Sequence, residues 1–274
     1  MEKSYSGGMV PELPEVEVLK RNLKKRLTGA RIEDVSITKP HILKSVKPHF
    51  TALIGRTFKD FERRGKYIFF DMDGLFIVYH GGLSGILDLR DVPTRDTSFY
   101  LKTDRGFLIF RELSTKKTAG IHLTENPETL PFIRKLGIDA LSVDFSPDYI
   151  KNRLRRRREW IFNVLRDQRF VSGIGRAYAS DILFEAKISP FKPGKRLTEG
   201  EIERLHYSIR IVLKRAIEAI EGLYGDSLVI KEKRDFLTVY RKKDQPCPVC
   251  GDTIQWKSYR DYAIYYCPTC QGVE

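Results

Sequence analysis

The sequence predicts an α+β multidomain chain: an antiparallel β domain led by a helix, then a helical domain, then a small C-terminal hairpin clipped by a metal. Three observations carry this. Strand-like runs broken by turn signals fill the chain from Arg31 to about Leu123. Helical periodicity takes over after Pro131. The chain has only 4 cysteines, and they sit near its end as Cys247-Pro-Val-Cys250 and Cys267-Pro-Thr-Cys270.

Residues 1–9 read as a polar, Gly-bearing extension, 10–133 as the N-terminal domain, 134–235 as the helical domain and 236–274 as the cysteine unit. Pro14 opens a helix on which Val16, Leu19, Leu23 and Leu27 share one face. Tyr67–Met72 and Leu75–His80 flank Asp73-Gly74, a hairpin signal, and Phe99–Lys102 and Phe107–Phe110 flank a turn at Asp104-Arg-Gly106. Pro147 starts a helix that runs into Arg155–Arg158, and Trp160–Leu165 continues the helical reading. The turn Ser172-Gly-Ile-Gly175 precedes a helix over Tyr178–Ala186. Thr198-Glu-Gly-Glu201 is a capping box for a long helix buried through Ile202, Leu205, Ile209, Leu213 and Ile217. Residues 223–240 form a polar connection to the cysteine unit.

The cysteine spacing is C-x2-C-x16-C-x2-C. Each C-x2-C supplies two thiolates from one tight turn, so together they offer the four corners of a tetrahedral Zn²⁺ site. Thr253–Trp256 and Tyr262–Tyr266 read as hairpin arms between the two turns. With all four positions filled by protein, one Zn²⁺ here is structural rather than catalytic. Disulfides and a redox C-x2-C are the weaker readings, since nothing looks secreted and no βαβ pattern surrounds the motif.

At 41% hydrophobic, the 274-residue chain can build real cores, which excludes global disorder. Its net charge of +13 and isoelectric point near 9.5 point to a polyanionic partner, most simply nucleic acid. No apolar run reaches transmembrane length and Met1–Gly8 lacks the apolar region of a signal peptide, so a cytoplasmic, prokaryotic-type protein associated with the nucleoid through DNA is expected, without a membrane partner. Two helices about a Gly-bearing turn beside a basic run suggest a helix-turn-helix-like DNA clamp, with an ordinary helical hairpin as the plainer alternative. Lys24-Lys-Arg26 and Arg155–Arg158 read as solvated helix faces, the second run being the better placed for phosphate. The 5 histidines show no HExxH or triad spacing, and Gly173-Ile-Gly175 follows a helix rather than a strand, which rules out a dinucleotide fingerprint.

Pro11-Glu-Leu-Pro-Glu-Val-Glu17, Arg63-Arg-Gly-Lys-Tyr67, His80-Gly-Gly-Leu-Ser-Gly85, Asp167–Asp181 and the terminal cysteines occur in one order. Together they resemble the formamidopyrimidine-DNA glycosylase/endonuclease VIII family, over nearly the whole chain from Val10 to Gln271, in a divergent branch with a Thr-Lys-Lys motif. The resemblance implies an N-terminal catalytic β-sandwich with flanking helices, a helix–two-turn–helix DNA-binding domain and a zinc finger whose hairpin touches DNA. It implies a monomeric base excision repair enzyme, a DNA glycosylase and abasic-site lyase acting on double-stranded damaged DNA with lesions of the 8-oxoguanine/formamidopyrimidine type. A damaged base is flipped out of the duplex, since its glycosidic bond is unreachable inside the stack. An N-terminal amine, with a reference pKa of roughly 8, then attacks the sugar and forms a Schiff base. Glu12 matches the carboxylate that handles protons at the sugar, Lys66 the lysine that grips phosphate, and Glu15 and Asp181 carboxylates close to the nucleophile. Read without the family, Glu12 and Glu15 are first-turn acids favoured by the helix dipole.

Departures from the family pattern mark the rest. Pro11, the family's usual nucleophile, is preceded by ten residues, and an amide nitrogen cannot attack. Translation from Met9 and its removal would expose the Val10 amine, processing would expose Pro11, or the chain performs no amine chemistry. Arg176 stands where the family has Asn, Tyr262 where its zinc hairpin has Arg, and Leu83 where its wedge has Met. Arg260 or Lys257 is a candidate to replace the hairpin arginine. In place of an Arg-Arg-Phe wedge the chain carries Glu112–Gly120, whose Lys116 and Lys117 contact phosphate or form a solvated turn. Two further functions stay open: a damaged- or structured-DNA binding protein on the same scaffold without catalysis, and a zinc-ribbon transcription or translation factor.

Overall fold

The computed structural model describes residues 10–231, 233–260 and 262–273; the expected extension 1–9, including Met9, lies outside them. Contacts divide the chain into two compact units, one running up to Arg134 and joined by the stretch from Ile220, the other formed by Lys135–Ala219 and the stretch from Lys233.

The first unit opens with α1 (Leu13–Leu27), with Pro14 in its first turn and Lys24, Lys25 and Arg26 in its last, where cations complement the helix dipole. Val16, Leu23 and Leu27 enter the core and Leu19 packs against it, the face that the helical period predicts. Eight strands follow: β1 (Ile32–Ile37), β2 (Asp60–Arg64), β3 (Tyr67–Asp71), β4 (Phe76–His80), β5 (Gly85–Arg90), β6 (Thr97–Thr103), β7 (Gly106–Glu112) and β8 (Gly120–Thr124). They form two antiparallel four-stranded sheets, ordered β1-β6-β7-β5 and β2-β3-β4-β8. Both expected hairpins are present. Asp73 and Gly74 take φ of 61° and 80°, the paired left-handed geometry of a two-residue hairpin turn. Phe70 from one sheet and Phe110 from the other meet at 6.3 Å, and Phe99 packs on Phe110 at 4.9 Å. One apolar core thus fills a β-sandwich. The single turn α2 (Pro131–Arg134) closes this part of the chain.

The second unit holds β9 (Ile138–Asp139), α3 (Pro147–Leu154), α4 (Ile161–Arg166), β10 (Val171–Ser172), α5 (Arg176–Glu185), most of α6 (Glu199–Tyr224), β11 (Gln255–Tyr259), β12 (Tyr262–Tyr266) and α7 (Pro268–Gln271). Ser146 caps α3 by accepting the Tyr149 N–H at 3.2 Å. The Thr198–Glu201 capping box forms: Thr198 N–H donates to Glu201 Oε2 at 2.7 Å, and Glu201 N–H to Thr198 Oγ1 at 3.3 Å. All five apolar positions expected on α6 are buried. The parallel pair β9–β10 has only two residues per strand, too few to leave a period in the sequence. The cysteine hairpin belongs to this unit because Val239, Cys247, Ile254 and Cys267 pack with Phe184 of α5.

Candidate active site and nucleic-acid interface

The chain before α1 turns sharply into the helix, and two buried carboxylates fix that turn. Glu12 is the N-cap residue: its side chain accepts the Glu15 N–H, while Glu15 Oε2 accepts the Glu12 N–H at 2.9 Å. Both are nearly inaccessible, at 4% and 3% exposure. The first-turn reading of these acids is therefore true structurally. Pro11, Glu15, Lys66, Tyr79 and Gly81 line one small pocket of about 40 Å³, together with Leu228 and Ile230. That volume has room for one or a few waters.

Lys66 occupies the two-residue turn between β2 and β3, whose ends pair as Arg64 with Tyr67. A buried ion pair anchors this turn to α1, with Arg63 Nε 2.8 Å from Glu17 Oε2 and Arg63 Nη1 donating to the Gly65 carbonyl at 3.0 Å. Burial alone would raise the Glu17 pKa, but hydrogen bonds and charge from Lys20 and Arg63 prevail and hold it at about 2. Burial and then the Lys66 charge press His80 down to about 4, so the ring is neutral near pH 7. His80 Nδ1 accepts the Gly82 N–H at 3.0 Å.

That bond starts the loop carrying Leu83, which is half-buried and donates its N–H to Thr118 Oγ1 at 2.8 Å. Glycine is required here by close approach. A Cβ on Gly82, at φ +56°, would lie 2.4 Å from the Ala119 nitrogen. One on Gly85 would lie 2.5 Å from the Gly81 carbonyl oxygen and 2.7 Å from Ala119 Cβ. Gly85→Ala is expected to cost about 1–3 kcal/mol, as overpacking does, and to lower the urea midpoint; an unchanged midpoint would show that the loop yields freely. Across from it, Glu112 Oε1 accepts the N–H groups of Thr118 and Ala119 at 2.6 and 2.7 Å. Lys117 turns onto its own loop, donating to the Ser114 carbonyl at 2.6 Å, while Lys116 is exposed.

In the second unit, Arg176 begins α5 directly after Gly175 and is half-buried. Asp181 lies within α5 and is 4% exposed. Its buried carboxylate accepts the N–H groups of Thr238, Val239 and Tyr240, tying α5 to the strap that leads into the hairpin. Burial raises its pKa to about 6 against those three donors.

Tyr262, expected at the DNA-contacting position of the hairpin, turns its side chain inward and is 7% exposed. β12 alternates inward through Tyr262, Ile264 and Tyr266, as a strand's two-residue period dictates. The Tyr262 ring stacks on Phe162 at 5.9 Å, and its hydroxyl donates to Asn163 Oδ1. The Arg166 guanidinium lies 3.9 Å above the same ring. Arg260 sits exposed at the hairpin turn with φ 55°. Lys257 Nζ hangs 5.6 Å from the Trp160 ring and 5.0 Å from Phe191. Sequence reasoning missed Arg63–Glu17, Asn163 and Arg166; for Arg166, the one available signal is a cation directly after the buried run of α4.

The four cysteine sulfurs converge, all lying within 4.8 Å of one another. Cys247 and Cys270 sulfurs are 3.8 Å apart and those of Cys250 and Cys267 3.5 Å. A disulfide requires about 2.05 Å, whereas a tetrahedron with metal–sulfur bonds of about 2.3 Å has edges of about 3.8 Å. The donor set fits a four-thiolate metal.

Comparison with known proteins agrees with this arrangement. Residues 10–118 match the family described as formamidopyrimidine-DNA glycosylase N-terminal domain, and residues 136–225 its H2TH domain. The formamidopyrimidine-DNA glycosylase of Pelotomaculum thermopropionicum is 32% identical over 97% of this chain and 100% of its own. That of Desulforamulus reducens is 36% identical over 96% and 99%. Among solved structures, the Lactococcus lactis enzyme in complex with abasic-site DNA superposes with a TM-score of 0.85 at 30% identity, covering 95% of this chain and 99% of that one. With full-length relatives of this identity, the chain belongs to the formamidopyrimidine-DNA glycosylase family and is a DNA glycosylase of base excision repair.

Proposed function

We propose that the enzyme excises oxidised bases of the 8-oxoguanine/formamidopyrimidine type from double-stranded DNA and then cleaves the abasic strand through a Schiff base on an N-terminal amine. The observation that carries this reading is the convergence of Pro11, Glu15 and Lys66 on one pocket at the capped start of α1, next to Glu12. A chain beginning at Val10 presents a primary amine two residues from Glu12. Its nitrogen lone pair bonds to the sugar C1′ while the glycosidic bond breaks, its electron pair leaving with the base, which takes up a proton. The bonded amine gives up a proton, the C1′–O4′ bond opens as Glu12 delivers a proton to O4′, and the resulting C1′ iminium acidifies the C2′ hydrogen, whose loss expels the phosphate at C3′ with its bonding pair. Lys66 holds phosphate beside the lesion. Leu83 and Lys116 lie on neighbouring loops suited to meet the duplex, and Arg176 and Arg260 supply cations from the second unit.

A Lactococcus lactis relative was solved with formamidopyrimidine-containing DNA, which supports this lesion class. We infer that Zn²⁺ is the metal of the four cysteines, acting structurally. No helix of the described residues is long and apolar enough to cross a membrane. We read the enzyme as a monomer working on DNA in the cytoplasm. The mass of the native protein tests the nucleophile. A mature chain starting at Val10 or Pro11 is expected; a mass running from Met1 would leave no amine at this site and would favour binding without catalysis.

A further inference from the structure

We infer that Glu112, a buried carboxylate that the proposed chemistry does not use, is a positioning residue of the duplex-opening surface. It clasps the connection between β7 and β8 against the Leu83 loop, so that Leu113 and Leu83 enter the base stack as one apolar wedge. The inference rests on the proposed DNA substrate and gives Glu112 and Leu113 parts that this reading does not assign. β7 ends at Glu112 and β8 begins at Gly120. The Glu112 side chain has no exposed surface. Its Oε1 accepts the Thr118 and Ala119 N–H groups at 2.6 and 2.7 Å, which draws the far end of the connection back onto its start. Its Oε2 lies 3.2 Å from His41 Nε2, and neither atom has a hydrogen bond to any other described residue. Charge buried this deeply is costly unless it is partnered, and an apolar side chain would fill the same space without holding the loop.

Three bonds join this connection to the loop before β5. Leu83 N–H donates to Thr118 Oγ1 at 2.8 Å, Ser114 N–H to Ser84 Oγ at 2.7 Å and Leu113 N–H to the Ser84 carbonyl at 3.4 Å. Within the connection, Lys117 Nζ donates to the Ser114 carbonyl at 2.6 Å and Lys116 N–H to Ser114 Oγ at 3.0 Å. Among these tied residues, Leu113 is 60% exposed. A single exposed leucine is ordinary, but this one follows the buried clasp directly and shares Ser84 with the Leu83 loop. Residues 114–118 are otherwise Ser, Thr, Lys, Lys and Thr, and Lys116 is exposed. One short connection therefore offers a cation for phosphate and an apolar side chain for bases. Extruding a base costs stacking and pairing, and apolar side chains inserted between base steps hold the opened stack apart. A wedge does this only if its backbone does not yield, which is the task of the clasp.

The fluorescence of 2-aminopurine, placed beside a tetrahydrofuran abasic analogue in a duplex, tests this with the full-length chain, because the base brightens when it unstacks. The signal is read at saturating protein, where it reports the shape of the complex rather than affinity or stability. Leu113→Ser should lower the saturating signal by about half or more, since the apolar wedge is what keeps the step open, and Leu113→Met should retain it. Glu112→Ala should lower it likewise. Glu112→Gln, whose amide oxygen can accept the same two N–H groups, should stay near the unaltered chain. Melting curves accompany each variant. Should Glu112→Ala fail to fold, Ser84→Ala takes its place, since it removes one of the three joining bonds at a half-buried hydroxyl, and it too should lower the signal. A full signal in Leu113→Ser, or in Glu112→Ala or its replacement, overturns the inference. So does binding of the duplex by the unaltered chain with no rise in signal. Failure of the unaltered chain to bind any duplex would instead overturn the DNA substrate itself.

Discussion

Glu12→Gln is expected to lower base excision about 10²–10⁴-fold, the usual contribution of general acid–base catalysis, while leaving duplex affinity close to that of the unaltered chain. The substitution separates two duties of one residue. Glu12 caps α1 by accepting the Glu15 N–H, and a glutamine carbonyl can accept the same bond, so the helix start survives. What disappears is a carboxylate able to carry a proton. Glu12→Ala removes both duties and should add about 1 kcal/mol of destabilisation, as loss of an N-cap does. Excision at an unchanged rate in Glu12→Gln would show that another group handles the proton. Loss of folding in Glu12→Gln would assign the residue to the cap alone.

Cys250→Ser should release the metal and, with it, much of the order of the hairpin. Binding of structural zinc supplies about 10–16 kcal/mol of apparent free energy that is spent on folding the site, and β11, four of whose five residues are exposed, buries little surface of its own. Arg260 and Tyr262 sit on this hairpin, so affinity for damaged duplex should fall together with metal content and with amide protection across β11 and β12. Full affinity after metal loss would contradict a part for the finger in gripping DNA. Metal uptake should also strengthen with rising pH. Burial and the neighbouring sulfurs push the Cys267 thiol up to about 11 and Cys270 higher still, so both must shed protons on binding, and acid opposes that step.

How much of this was legible depends on the range over which each feature is written. The amphipathic face of α1, the Asp73-Gly74 turn, the Thr198–Glu201 box and the paired C-x2-C knuckles are local patterns, each with a local physical cause, and each appears where the sequence puts it. The Arg63–Glu17 ion pair joins residues 46 apart, and the Tyr262–Asn163 hydrogen bond residues 99 apart. No period or spacing records such pairings, because they arise only when the elements pack. Tyr262 shows the intermediate case. Reading it against the hairpin arginine of the family suggested a DNA contact, yet the alternation Tyr262, Ile264, Tyr266 already marked an inward-facing side chain. The pocket at Pro11, Glu15 and Lys66 was legible through the ordered motifs, but part of its lining was not. Leu228 and Ile230 reach it from a connection that looked merely polar.

The central claim is that an exposed α-amine next to Glu12 performs the chemistry, and borohydride trapping tests it most directly. Protein beginning at Val10 and protein beginning at Met1 are each incubated with 8-oxoguanine and abasic duplexes, and borohydride is added to reduce any Schiff base to a stable bond. The account predicts a covalent protein–DNA adduct, attached at the first residue, for the chain that begins at Val10 and none for the chain that retains residues 1–9. No adduct from the Val10 chain with either substrate, or an equal adduct from both chains, would contradict it.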